Sequence, residues 1–335
     1  MTNVVQTSNR GIELQLNAWL IETKDFSLNA TFNIGHNKNK IDKLASGEKE
    51  WILTSAWRND VVNSDDYRAY VGGTSGLIYG YVNDGFYTVA DFESFDSKSR
   101  TWKLKEGVVD SSPLSDTPRP GNAKFKKLTP VDPNSTNPYQ LTEADRTVIG
   151  NTTPKFSGGF GLNATYKGFD MSMFFNFMYD FDVLNANKIM LTTWADNKEN
   201  NFLMDIASDK RWRNFDDMGN EIRYSPEVLA EFNKNATMWN PTSIGRPICM
   251  SYAVEDGSFL RLNSATLGYT LPSVWTKKVG LSKVRFYVSG NNLFTLTGYS
   301  GYDPEVNIAT GLTPNIDYNR YPRSRTYTFG AQLTF

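Results

Sequence analysis

The sequence predicts an all-β fold: a transmembrane antiparallel β-barrel whose strands are joined by long extracellular loops containing short helices. Three observations predict it. Segment after segment alternates apolar and polar residues, the segments run about 9–13 residues, and their connections alternate between short and long. Successive side chains of a strand point to opposite faces, so alternation marks a strand with one apolar and one polar face. Globular strands cluster near 5–6 residues, whereas a tilted strand crossing a bilayer needs about 9–11.

In residues 12–20 the apolar set Ile12, Leu14, Leu16, Ala18 and Leu20 opposes Glu13, Gln15 and Asn17. In residues 26–35, Leu28, Ala30, Phe32 and Ile34 oppose Ser27, Asn29, Thr31 and Asn33. Only ETKD separates the two, which makes them a hairpin. Residues 78–105 carry a weaker pattern, read as two further strands. The clearest hairpin follows. Phe156, Phe160, Leu162, Ala164 and Tyr166 share one face, a tight turn falls at Lys167-Gly168, and Phe169, Met171, Met173, Phe175, Phe177, Tyr179 and Phe181 continue the face on the return strand. Asp170, Ser172, Asn176 and Asp180 lie opposite. Residues 259–271 and 284–296 add two more strands, and the chain closes on a last one, with Tyr327, Phe329, Ala331, Leu333 and Phe335 on its apolar side.

The connections at 22–25, 167–168 and 272–282 are short; those at 36–75, 106–154, 182–258 and 297–323 are long. With the last strand pointing inward, every long connection falls outside. Short inner turns and long outer loops are the pattern of outer-membrane barrels, as are aromatics near strand ends such as Tyr166, Phe169, Tyr179 and Phe181. Two loops are read as containing short helices, at 185–195 and 226–236.

Lys+Arg 35 against Asp+Glu 36 gives a net charge of −1, which offers nucleic acid no electrostatic footing. One cysteine, Cys249, excludes an intramolecular disulfide and a thiolate-cluster metal site, and one histidine, His36, excludes a multi-histidine zinc site. Carboxylate pairs such as Asp110 with Asp116, or Asp216 with Asp217, sit in loops without the partners acid–base catalysis needs. No enzyme, metal or cofactor is expected. The start lacks the basic and apolar regions of a secretory signal, and no run approaches the ~20 apolar residues of a membrane helix.

Seven stretches then carry a resemblance. NRGIEL (9–14), IYGYVNDGF (78–86), EADRTVIGNTTPKFSGGF (143–160), YKGFDMSMFF (166–175), GSFLRLNSATLGYTLP (257–272), RFYVSGNNLFTLTGYSGYDPEV (285–306) and the closing YPRSRTYTFGAQLTF occur in one order across nearly the whole chain. In that order they resemble the C-terminal β-barrel portion of the SusC/RagA family of TonB-linked outer-membrane transporters. The resemblance implies a part of a barrel of about 22 strands around a plug, in the outer membrane of a Gram-negative cell. It implies import of oligosaccharides or peptides, with a SusD-like surface lipoprotein and an inner-membrane TonB complex as partners. It also implies that Tyr327, Phe329, Leu333 and Phe335 face lipid and carry the barrel-assembly signal. Residues 1–335 are expected to be the rear of such a barrel, with the plug domain and signal peptide absent and TonB reached only through a missing N-terminal part. Family members often carry an Asp/Asn/Gly-rich run before the position of Asp145-Arg146; the prolines of KKLTPVDPNSTNPYQLTEADR depart from it, so no calcium is expected there.

Loop aromatics Trp51, Trp57, Tyr67, Tyr70, Trp194, Trp212 and Trp239 are the candidate substrate contacts, since apolar sugar faces stack on rings. The bland alternative is that they pack the folded loops. Asp303 and Glu305 of GYDPEV either hold a cation or cap a turn, and the proline between them favours the turn. Two other readings stay open: a structural outer-membrane component that assembles with a separate N-terminal half, and a soluble carbohydrate-binding β-sandwich.

Overall fold

In the computed structural model, residues 5–57, 65–115, 117–193, 201–244, 247–305 and 311–335 are described. Seven long strands form one sheet: β1 Val5–Glu22, β2 Phe26–Leu44, β3 Phe156–Tyr166, β4 Phe169–Tyr179, β5 Phe259–Thr270, β6 Lys283–Thr297 and β7 Thr326–Thr334. Each pairs antiparallel with its neighbours in sequence, so the sheet is a simple meander. It is an open arc rather than a closed barrel.

The alternation fixes the register. Leu16, Phe32, Phe160, Phe175, Leu262 and Phe294 stand in one row across six strands. Further rows on the same face are Leu28, Ala164, Met171, Leu267, Val288 and Phe329, then Phe26, Tyr166, Phe169, Tyr269, Phe286 and Ala331. A slip of one residue would turn every one of these side chains to the opposite face, which is why a one-sided pattern specifies pairing so strongly. Small bulges keep the rows aligned, one between Phe174 and Phe175 and another between Leu262 and Ser264.

Three short connections lie at one end of the arc. Lys167 and Gly168 both have positive φ, 44° and 92°, the two-residue hairpin geometry that matches strand twist. Gly168 also lacks room for a side chain, because a Cβ there would sit 2.9 Å from the Thr270 carbonyl. Thr23 tightens the first turn by donating from its hydroxyl to the Phe26 carbonyl at 2.9 Å.

At the other end, the described residues between 45 and 155, 180 and 258, and 298 and 325 build an outer body. Residues 78–105 belong to it and not to the wall, contrary to the sequence expectation. They hold four short strands, Leu77–Gly80, Asn83–Phe86, Phe92–Asp96 and Thr101–Leu104, divided among three small sheets. Strands of four or five residues cannot cross a bilayer. The loop helices are α1 Ala186–Thr192 and α2 Pro226–Phe232. Asn185 caps α1 by accepting from the Lys188 N–H, and Pro226 starts α2 at the position where its missing N–H costs nothing. Both fall inside the stretches read as helical from sequence.

The outer body has cores of its own. One joins Trp57, Tyr67, Ile78, Leu184 and Ile189; a second joins Phe125, Met238, Trp239, Ile244 and Met250; a third joins Trp212, Ile222 and Leu229.

Candidate functional site

The polar face of the wall is built from the residues between the apolar rows. Ser27 and Thr165 share a hydrogen bond at 2.6 Å, Thr266 and Ser289 another at 2.9 Å, and Asp170 receives the Arg285 guanidinium at 2.8 Å. Arg285 reaches Asp170 across an intervening strand because Gly268 lies beneath the pair. A Cβ at Gly268 would fall 2.4 Å from the Arg285 Nη2 atom and 2.6 Å from the Asp170 carboxylate. Aromatic side chains also stand on this face, among them Trp19, Tyr287 and Phe174, whose ring lies against Gly159. Asn176 is partly buried there and Asp180 is exposed at its outer rim, paired with Lys155 at 3.5 Å.

Where wall meets outer body, one arginine organises the junction. Arg261 of β5 is fully buried and donates to Asp303 at 2.6 Å, pairs with Glu305 at 2.7 Å and reaches the Thr295 hydroxyl at 3.0 Å. Arg323 closes the set, 3.9 Å from Asp303 and 3.5 Å from Glu305. Asp303 also accepts the Glu305 N–H at 2.9 Å. The turn reading of GYDPEV therefore holds geometrically, and the charge between the two carboxylates is a guanidinium of the chain itself. Sequence reasoning missed Arg261. Its signal was a cation on the inward side of an otherwise alternating strand.

The loop anchor of the EADR stretch is Asp145. It is buried and accepts from the Leu128 and Thr129 N–H groups at 2.9 and 2.7 Å and from the Thr142 N–H at 2.8 Å, with Lys127 at 3.3 Å. Burial alone would raise its pKa, but these donors outweigh it and hold the carboxyl well below the usual range. Asp66, by contrast, is pushed up to about 6 by burial, against hydrogen bonds from the Ser55 N–H and hydroxyl.

The candidate aromatic residues separate. Trp57, Tyr67, Trp212 and Trp239 are buried within the outer-body cores, so as placed their rings meet protein. Tyr67 donates to the Pro314 carbonyl at 2.5 Å, and Trp239 to the Thr192 carbonyl at 3.3 Å. Trp51 is half-buried and bonded to Glu48, while Tyr70 is exposed beneath the Arg68 guanidinium, 5.3 Å from its ring centre. Trp194 lies outside the described residues. A cavity of about 310 Å³ instead draws on residues the sequence reading did not select: Asn185, Lys188, Ser300, Tyr302, Asn319 and Arg320. Lys188 is held there by Glu255 at 3.6 Å and lies over the Tyr252 ring. Tyr302 and Tyr321 stand almost fully exposed nearby in sequence. Such a mixture of amide, hydroxyl, cation and aromatic groups can bind sugar hydroxyls or peptide groups alike.

Tyr327, Phe329, Leu333 and Phe335 project from the apolar side of β7 and are exposed. The strand's end is fixed by Ser282, whose N–H and hydroxyl donate to the Thr334 carbonyl at 2.8 and 3.0 Å.

This apolar outer face, polar inner face and one-sided loop body define a portion of an outer-membrane-type β-barrel. Comparison with known proteins gives the class. The chain is 32% identical over 339 residues to TonB-dependent receptor P3 of Formosa agariphila, covering 99% of this chain and 29% of the relative. It is 26% identical to TonB-dependent receptor SusC of Bacteroides thetaiotaomicron, over 99% of this chain and 27% of that one. The solved RagAB peptide transporter superposes with a TM-score of 0.64 at 22% identity, over 99% of this chain and 30% of its own. No family model matches. The chain is similar over nearly its whole length to part of these TonB-dependent receptors and resembles a barrel portion of the SusC/RagA type, and it spans under a third of the length of these relatives. The relatives are receptors and transporters rather than enzymes.

Proposed function

We propose that this chain forms a sector of the wall and the outer loops of a TonB-dependent outer-membrane importer of oligosaccharides or peptides, working beneath a SusD-like surface lipoprotein. One observation carries the reading: an apolar face runs across the seven strands, and among the described residues Leu14, Leu267, Phe286 and Phe329 are exposed on it. Water does not stabilise such a face, whereas lipid does. The likeness to SusC and to the RagAB peptide transporter supports import, and the outer cavity with its exposed tyrosines supports capture at the cell surface. Transport would proceed by capture between lipoprotein and loops, followed by plug movement. The plug and the TonB contact are assigned to no residue of this chain.

Single cysteines test the wall, with the buried native Cys249 replaced by serine. In outer membranes, Phe329→Cys is expected to react with a lipid-soluble maleimide and resist a charged one. Thr328→Cys on the opposite face should show the reverse. Equal reaction of both sites with the charged reagent would end the membrane reading and favour a soluble sandwich. Import is tested separately, by uptake of labelled oligosaccharide and peptide mixtures in cells with and without the receptor.

A further inference from the structure

The outer body contains a second cleft, away from the 310 Å³ cavity, in which three arginines converge. Arg100, Arg119 and Arg223 line it together with Trp102, Tyr224 and Thr242. The segments that supply them are far apart in sequence. Arg100 sits at the turn of the Phe92–Asp96 and Thr101–Leu104 hairpin, held there by a positive φ of 55°. Arg119 precedes Pro120, and Arg223 precedes α2. Folding therefore brings three cations to one place in a chain whose net charge is −1.

Their partners do not balance them. Arg223 pairs with Glu221 at 2.5 Å. Arg100 lies over the Tyr224 ring at 4.7 Å, and the same ring carries Arg223 at 5.6 Å and stacks on Phe95. Among the described residues no carboxylate pairs with Arg100 or Arg119, and no carboxylate lines the cleft; Asp116 lies outside those residues. Clustered guanidinium groups repel one another unless an anion enters between them, and their planar forks match oxyanions in two-point fashion. The enclosed space is about 60 Å³, room for one oxyanion group and not for a sugar ring.

We propose that this cleft is an oxyanion site, and that it grips the carboxylate or sulfate ester of an acidic oligosaccharide. Guanidinium, hydroxyl, carboxamide and aromatic groups in one lining suit an oxyanion set among sugar hydroxyls. The assignment of that oligosaccharide as cargo rests on the import reading, but binding does not.

The test is calorimetric titration of the detergent-solubilised receptor containing this chain with inorganic sulfate, a uronate disaccharide, its neutral counterpart and a tri-aspartate peptide. The sulfate and the uronate are expected to bind saturably. Arg119→Gln, which removes a side chain with no ion pair among the described residues, should weaken both roughly 10-fold or more, as loss of a charge-assisted hydrogen bond does. Arg119→Lys should fall between, Arg100→Gln should act in the same direction, and the neutral disaccharide should be unaffected by all three. Equal binding of sulfate and uronate by wild type and both glutamine variants overturns the site. Arginine-dependent binding of tri-aspartate without the uronate overturns the saccharide assignment. Sulfate-only binding without the uronate narrows the ligand to sulfate esters. Failure of uptake in cells, with binding intact, would sink the import reading alone.

Discussion

Phe329 in the wall is 81% exposed and Trp239 in the outer body is 2% exposed, yet both are large aromatics within regular hydrogen-bonded surroundings. The wall keeps its apolar side chains in rows on an outer surface and buries almost nothing between layers. The outer body draws its aromatics from several loops into closed cores, as a water-soluble domain does. One chain thus holds two regions adapted to two solvents. The lesson is that apolar residues are placed by the medium they meet, and that a period of two with no covering layer indicates lipid.

The difference can be broken region by region. Trp239→Ala should act first and hardest, costing about 3–5 kcal/mol by cavity formation. Loop proteolysis should accelerate while the heat-resistant electrophoretic mobility of the barrel stays unchanged. Loss of both together would mean that the regions do not fold separately. Arg261→Ala leaves Asp303 and Glu305, among the described residues, with Arg323 as their remaining cation, and breaking a buried pair costs about 3–5 kcal/mol. Because it sits at the junction, both readouts should fall. Arg261→Lys should recover part of the loss, since it restores charge without the planar fork.

In the wall, Leu267→Arg should cost about 2–4 kcal/mol in lipid vesicles, whereas Thr266→Arg on the opposite face should cost far less. Equal costs would mean that the face assignment is wrong. The smallest effect is a pH slope in the outer body. Asp66 has its pKa raised from 3.8 to about 6, so the folded state favours its protonated form. Its contribution is complete below about pH 4 and is lost as pH rises through 6, at about 1.4 kcal/mol per unit in that window. Asp66→Asn should flatten the slope of loop unfolding between pH 4 and 6. Asp145 runs the other way, contributing fully above the usual carboxylate range and failing only in strong acid.

The wall was legible because each of its strands states its faces locally. The hairpin at Lys167-Gly168 and the final strand were placed within a residue or two of their observed ends. The outer body was not legible in the same way. Strands such as Leu77–Gly80 are too short to show a period, and their register is set by partners distant in sequence, such as Thr147–Asn151. The same holds for the candidate site. A tryptophan in a loop reads alike whether its ring will be covered, as Trp212 is, or left open, and only tertiary contacts distinguish the two. The convergence of Arg100, Arg119 and Arg223 had no sequence signal at all, because three separate loops create it.

The meander also imposes a parity. With seven antiparallel strands, β1 and β7 run in the same direction, both toward the short-turn end, and neither outer edge is paired among the described residues. Two parallel-facing edges cannot be joined to each other by antiparallel pairing. Any closure that keeps the antiparallel rule must insert an odd number of strands between them, and the completed barrel then has an even count, the usual condition of bacterial outer-membrane barrels.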